Sequence, residues 1–388
     1  MHPRRIDEID GLRAAAMTAV VAQHCGIAPF GWTGVWLFFV ISGYVISRNF
    51  LQHRYVAEDR LRAYGNFMLR RFFRIVPVYF LYLAFGAVLL ILLNRSAALR
   101  DLPFLLTFTH NWQLTFALIP NPEAWSAFGH LWTLSIEEQF YIVYPLLFLL
   151  LPRRLYVPTL LVLIAAGPVV RFLYAWMLGS VSADREWMAF AVYASSFAHF
   201  DAFLVGAAIA RFEGRIRAKR AVPGIALAAA ALATVLFATF YWATNRAAGA
   251  TGVEALRNIY SGILFGNGRE IFVYNVVSLV AAALLILAIL QKPVMRPLAW
   301  PFVSLVGRIS YGGYLYHALV LWMVFALLSL DGSSLSLAQR VALFVCVWSL
   351  TVAVAYASYR WFEKPIVDWS RERTATARPA LAAHSPAA

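Results

Sequence analysis

The sequence predicts an all-α, polytopic integral membrane helical bundle of about ten transmembrane helices, with both termini cytoplasmic. Three observations carry this. Of 388 residues, 62% are hydrophobic and 13% are charged, against roughly 25% charged in an average soluble domain. Apolar runs long enough to cross about 30 Å of hydrocarbon recur along the chain, whereas the short alternating segments of a β-barrel are absent. Arg and Lys collect in every second loop, as they do on the cytoplasmic side of a membrane.

The first run, residues 12–30, follows Arg4 and Arg5 as a signal peptide would. It has no clear small-x-small cleavage site and a second run, 33–50, follows at once, so it reads as a retained first helix. Further spans follow at 76–94, 130–151, 155–177, 190–210, 223–243, 271–290, 305–330 and 339–362. Residues 102–118 are apolar but short, and contain His110, Asn111 and Gln113. If this stretch spanned, every later loop would change sides. The basic clusters at 153–154, 211–220, 292–296 and 364–378 would then face outward. The segment 95–129 is therefore expected as an outer loop, part of which dips into the protein, where its backbone must line a cavity or be covered. Residues 1–366 are expected to form the membrane domain. Residues 367–388, rich in Ala, Pro, Arg and Ser, are expected to be a disordered cytoplasmic tail.

A net charge of +14 invites a nucleic-acid reading, but cytoplasmic loops account for it and no zinc-finger spacing or basic reading helix is present. Cys25 and Cys346 lie inside apolar runs and read as small buried hydrophobes, so neither a disulfide framework nor a metal site is expected.

Ionisable groups inside a membrane are costly and mark function by default. In "DGLRAAAMTAVVAQHCG", Asp10 reads as an N-cap, and Arg13 and His24 are eleven residues apart. Eleven residues make about three full turns, which puts both on one face roughly 16 Å apart along the axis. "FGHLWTLSIEEQFYIVYPLL" sets Glu137 and Glu138 into an apolar span. Counting helical rise from the outer ends brings both acids to a depth similar to that of His24. A carboxylate at that depth would orient an imidazole acting as general base. The plainer reading is a structural acid paired with an arginine. Arg71 and Arg74 in "RRFFR" share a face at the mouth of the third span and suit phosphate, or serve only as an interfacial anchor. "FFVISGY" places Ser42, Gly43 and Tyr44 in the second span, where small residues allow close helix packing. Arg171, His199, Asp201 and His317 are further intramembrane polar groups, and Glu363 in "WFEKP" reads as a boundary charge.

"IDGLRAAAMTAVVAQH", "FFVISGY", "RRFFRIVPVY", "HLWTLSIEEQFYIVYPLL", "ISYGGYLYH" and "WFEKP" occur in the order found in the membrane-bound acyltransferase 3 family, which the chain resembles over about residues 4–366. The resemblance implies ten core helices with cytoplasmic termini, in agreement with the loop charges. It implies a bacterial inner-membrane O-acyltransferase that passes an acyl group, commonly acetyl, from cytoplasmic acyl-CoA to a hydroxyl of an extracytoplasmic or lipid-linked glycan. The family's Arg-x10-His pattern falls on Arg13 and His24, its Arg-x-x-Arg pattern on Arg71 and Arg74, and its Glu-Glu-Gln-Phe-Tyr segment on residues 137–141. Trp36 departs from the pattern, since many relatives carry a polar residue or Asp there.

The expected site is then a chamber in which Arg13, Arg71 and Arg74 hold the phosphates of acyl-CoA and the pantetheine arm runs along the Arg13–His24 face. His24 acts on the acceptor hydroxyl as base or, alternatively, as an acylated nucleophile, with Glu137 or Glu138 orienting it. His130, Trp132 and Ser135 are oxyanion donors in this scheme, and Ser42, Tyr44 and His317 line the chamber. Acyl-CoA is a substrate, and no permanently bound cofactor is expected. The rival class, a transporter or flippase, would also hold charges at mid-membrane, but paired broken helices and an inverted repeat are not visible in the sequence.

Overall fold

The computed structural model describes residues 5–53, 60–116, 127–256, 259–260, 268–332 and 334–376. These residues form helices and connecting turns, with no strand among them. The chain opens with α1 (Asp7–His24), α2 (Thr33–His53) and the long α3 (Arg60–Leu92). Two short helices follow, α4 (Leu102–Leu106) and α5 (His110–Phe116), and then α6 (Trp132–Leu150) and α7 (Arg153–Gly179). Next come α8 (Arg185–Ala194), α9 (Phe200–Ala218), α10 (Val222–Ala247) and α11 (Arg269–Ile289). The chain continues through α12 (Pro301–Arg308), α13 (Ser310–Leu328) and α14 (Leu337–Ser358). One π turn at Tyr359–Glu363 leads into α15 (Lys364–Thr376).

Among the described residues, six helices are long and apolar enough to cross a membrane: α3 from Tyr64, α7, α10, α11, α13, and α14 with its continuation to Ser370. The apolar windows of α7 and α10 are only 22% and 17% buried by protein, against 72% for α11. Leu161, Val162, Trp176, Leu232, Val235 and Phe240 stand exposed on α7 and α10. Large apolar groups facing outward along a whole helix are lipid-facing, since in water such a surface would drive association. The chain is a multi-pass membrane protein. The other four expected spans (α1, α2, α6 and α9) carry the polar residues, among them Arg13, Ser42, Glu137 and Asp201, and belong to the interior of the bundle.

The most extensive helix pairing is between α2 and α9. A Cβ on Gly43 would sit 1.8 Å from the Phe203 carbonyl oxygen, and one on Gly206 would sit 1.9 Å from that of Val40. Each glycine thus admits the backbone of the other helix, which is how small residues drive helix packing in lipid. This crossing fixes where Ser42 can point.

Several sequence expectations change. The run 190–210 is not one helix: it breaks at residues 195–199 between α8 and α9. Side chains remote in sequence stabilise the break. Arg171, fully buried, donates to the Ala198 carbonyl at 2.6 Å and to that of Ile271 at 2.8 Å, and pairs with Asp201 at 2.9 Å. Asn111 donates to the Ala194 carbonyl at 3.1 Å, and His199 Nε2 donates to the Val192 and Tyr193 carbonyls. Irregular backbone inside a membrane requires this kind of satisfaction. Arg171, His199 and Asp201 are therefore structural. Residues 305–330 likewise divide at Ile309 into α12 and α13.

Residues 102–116 form α4 and α5, too short to span. His110, Asn111 and Gln113 are buried, so this part of the 95–129 loop does lie within protein. Residues 117–126 of that loop lie outside the described residues. The expected disordered tail begins instead as helix: α15 runs to Thr376, held by a Lys364–Asp368 ion pair of 2.6 Å and by Trp369 packed edge-on against Phe73. Residues 377–388 lie outside the described residues.

Candidate active site

Two cavities stack within the bundle, and no residue lines both. Four helices contribute to both. α1 gives Arg13 to one and His24 to the other; α2 gives Ser42 and Val35, α6 gives Glu137 and Thr133, and α13 gives Tyr311 and Tyr314. The face of α1 that the sequence marked by its Arg–His spacing therefore joins the two cavities.

The arginine chamber has a volume of about 360 Å³ and is lined by Arg13, Arg71 and Arg74. Arg13 Nε donates to Ser310 at 3.2 Å, and its guanidinium lies over the Phe38 ring at 5.8 Å. Arg71 lies over the Tyr141 ring at 4.9 Å. Among the described residues none of the three is ion-paired, although Glu137 and Glu363 line the same space. Guanidiniums gathered around one cavity without a close ion pair are chemically suited to a polyanion, because their mutual repulsion falls when negative charge enters.

Glu137 belongs to this chamber. It accepts from Ser42 and from Tyr141, each at 2.6 Å. The expectation that Glu137 or Glu138 orients His24 does not match this geometry. No hydrogen bond or ion pair joins either acid to His24 among the described residues. Glu137 lies with Arg13 and Ser42, in the chamber at the other end of the α1 face from His24, and its direction is set by Ser42, which the α2–α9 crossing fixes. Glu138 is half-buried beside it. Gln139, from the same motif, ties α6 to the break before α9, donating to Asn111 at 3.1 Å and accepting from Ser196 at 2.5 Å.

The histidine chamber has a volume of about 440 Å³. His24, the last residue of α1, opens into it. Its neighbour is His317: the rings meet edge to face with centroids 4.9 Å apart, and His317 meets His130 in the same way at 4.9 Å. His317 is fully buried. Its Nδ1 donates to the Tyr314 carbonyl at 2.5 Å, so in the neutral ring Nε2 bears the lone pair, and that atom has no partner among the described residues. His130 donates through Nε2 to the Leu315 carbonyl at 3.1 Å, leaving Nδ1 without a partner among the described residues. Tyr314 closes the cluster, sharing a 2.7 Å bond with Thr133.

Of the remaining expected residues, Trp132 lines the histidine chamber and Ser42 lines the arginine chamber. Ser135 lines neither. It is fully buried and turns its hydroxyl to the Leu131 carbonyl of its own helix turn at 3.5 Å. Tyr44 also lies elsewhere, donating to Glu213 at 2.9 Å beside Arg48. Trp36 fills the position where a polar residue was noted in relatives. It is fully buried and stacks on Tyr274 with centroids 4.8 Å apart.

Five aromatic residues of the histidine chamber, Trp32, Tyr193, Tyr314, Trp322 and Phe325, were not foreseen. In sequence they resemble ordinary membrane-interface aromatics, and only the fold brings them together. Glu363 was read as a boundary charge. The π turn at Tyr359–Glu363 delivers it into the arginine chamber, where Ser358 donates to it at 3.1 Å, and such turns are frequent at functional sites.

A family model described as an acyltransferase domain (acyltransferase 3) matches residues 6–360. A peptidoglycan O-acetyltransferase of Listeria monocytogenes is 27% identical over 392 residues, covering 93% of this chain and 56% of the relative. An O-acetyltransferase of Staphylococcus aureus is 32% identical over 169 residues, covering 39% of this chain and 26% of the relative. The chain thus spans little more than half the length of the Listeria protein, even where the match runs almost from end to end. No solved structure matches. A match that encloses the Arg13–His24 helix, the arginine pair, the histidine chamber and most of the arginine chamber is decisive for kinship: this chain belongs to the acyltransferase 3 family.

Proposed function

We propose that the protein is an O-acyltransferase of the bacterial inner membrane. It crosses the membrane about ten times with both termini cytoplasmic. It moves an acyl group, acetyl in the first instance, from cytoplasmic acyl-CoA to a hydroxyl of an extracytoplasmic or lipid-linked glycan. The Listeria relative, named for O-acetylation of peptidoglycan, supports this acceptor class.

The observation that carries the reading is the stacking of a polycationic chamber and a histidine chamber along one face of α1. Arg13, Arg71 and Arg74 take the CoA phosphates, for which guanidinium forks are suited. The pantetheine arm extends toward His24, which removes the acceptor proton. The hydroxyl oxygen forms the new bond to the acyl carbon, the carbon–sulfur bond breaks, and His24 returns the proton to the thiolate of CoA. His24 stands at the C-terminal end of α1, where free carbonyls favour the transient imidazolium. The Trp132 indole N–H is the oxyanion donor in this scheme, a role its place in the lining of the same cavity supports. Aromatic faces of Trp32, Tyr193 and Trp322 suit a sugar ring.

The test is thiol release from acetyl-CoA by purified protein supplied with a chito-oligosaccharide. Release that depends on the saccharide, with ester formed on it, supports the reading. Absence of release by the wild type contradicts it and favours transport.

A further inference from the structure

The histidine chamber offers an acceptor few polar side chains to hold it. Thr133 and Tyr314 spend their hydroxyl protons on each other and on the His130 carbonyl. His130 gives its N–H to the Leu315 carbonyl and Trp32 its indole N–H to that of Tyr260, each at 3.1 Å. Trp132 and Trp322 bring a donor and no acceptor. Besides His24, Gln23 is the lining side chain that keeps both a donor and an acceptor to spare. It precedes His24 on the last turn of α1. Its Oε1 is buried without a partner, and its Nε2 donates to no described residue. Buried polar atoms are nearly always paired, so an idle amide in a cavity wall marks a place where a ligand completes the bonding. The stem of the side chain is held from behind. A Cβ on Gly31 would lie 2.8 Å from the Gln23 Cβ and 2.0 Å from the Ala19 carbonyl oxygen, so the turn that carries Trp32 presses on this face of α1. Only the last torsion of the amide is soft, and turning it presents either the oxygen or the nitrogen to the cavity.

A carboxamide sets one donor and one acceptor side by side. That pair matches two neighbouring polar substituents on a sugar ring, one giving a proton and the other receiving one. Aromatic faces such as Trp32 and Trp322 hold a sugar by its apolar face, but they leave it free to slide and to turn in its own plane. Two hydrogen bonds to the ring edge remove that freedom and choose which substituent lies next to the base. Building on the acyltransferase reading, we propose that Gln23 binds the acceptor sugar through two adjacent ring substituents and thereby decides which hydroxyl meets His24.

The test follows acetyl transfer from acetyl-CoA to a chito-oligosaccharide by the full chain in detergent. It reads the KM for the saccharide and, by NMR, the ring position of the new ester. Gln23→Met keeps the length of the side chain and removes both hydrogen-bonding atoms; Gln23→Leu is the second variant. Each is expected to raise the saccharide KM about tenfold or more and to spread the ester over more than one position. Binding of acetyl-CoA is expected to persist in both, which also shows that they are folded. An unchanged saccharide KM or an unchanged ester position in the folded variants overturns the assignment and leaves the acyltransferase reading intact. Loss of acetyl-CoA binding by both variants overturns it too, because Gln23 is then a residue the fold itself needs. No thiol release by the wild type overturns both readings.

Discussion

Ser42 donates a 2.6 Å hydrogen bond to Glu137, and this bond places the acid among the arginines instead of beside His24. Glu137 also accepts from Tyr141, whose ring supports Arg71. It is therefore expected to shape donor binding. Hydrogen bonds to a charged group contribute about 1.5–3 kcal/mol each, so Glu137→Gln should raise KM for acyl-CoA roughly 10- to 100-fold with kcat much less affected. Steady-state kinetics over a range of acetyl-CoA concentrations measure this. A fall confined to kcat would instead place the acid at the reacting atoms.

His317 is expected to act through His24. Its Nδ1 is anchored on Tyr314, and its bare Nε2 lies in the ring that meets His24. His317→Ala should lower kcat by less than the about 10²–10⁴-fold that loss of the base itself costs, leaving KM for acyl-CoA unchanged. His317→Asn, whose amide can still reach the Tyr314 carbonyl, should recover part of the loss. Equal kcat in wild type and His317→Ala would remove this residue from the mechanism.

Arg171 and Asp201 form a buried pair that also holds the break before α9. Removing one partner leaves an uncompensated charge, so Arg171→Met should destabilise the protein by about 3–5 kcal/mol. Adding Asp201→Leu should return part of this. Thermal unfolding in detergent distinguishes the single from the double variant.

Gly43 and Gly206 set the α2–α9 crossing. Gly43→Ala should cost about 1–3 kcal/mol through overpacking. Gly65→Ala is the control, since nothing lies near its added methyl, and helix propensity predicts a gain of up to about 1 kcal/mol there. The same melting measurement reads both.

What the sequence could reveal follows from what each signal encodes. The Arg13–His24 spacing was legible because helical period fixes two residues of one helix relative to each other. The match of His24 with the acids was not, because counting rise from the end of each helix fixes neither height nor azimuth between helices, and the place of Glu137 depends on Ser42 and on the Gly43–Gly206 crossing. The break at residues 195–199 left no local mark: Ala194 and Ala198 are ordinary helix formers, and the groups that satisfy their carbonyls, Asn111 and Arg171, lie elsewhere in the chain. His317 was visible as a buried histidine, but its contact with His24 needed the fold.

The central claim is the division of labour between the arginine chamber and His24. It is tested most directly by measuring CoA binding and thiol release together, for wild type, His24→Ala and the double variant Arg71→Ala/Arg74→Ala in detergent. The account predicts that His24→Ala binds acetyl-CoA as the wild type does but releases no thiol, and that the double variant loses binding. Wild-type turnover in His24→Ala, or undiminished binding in the double variant, would contradict it.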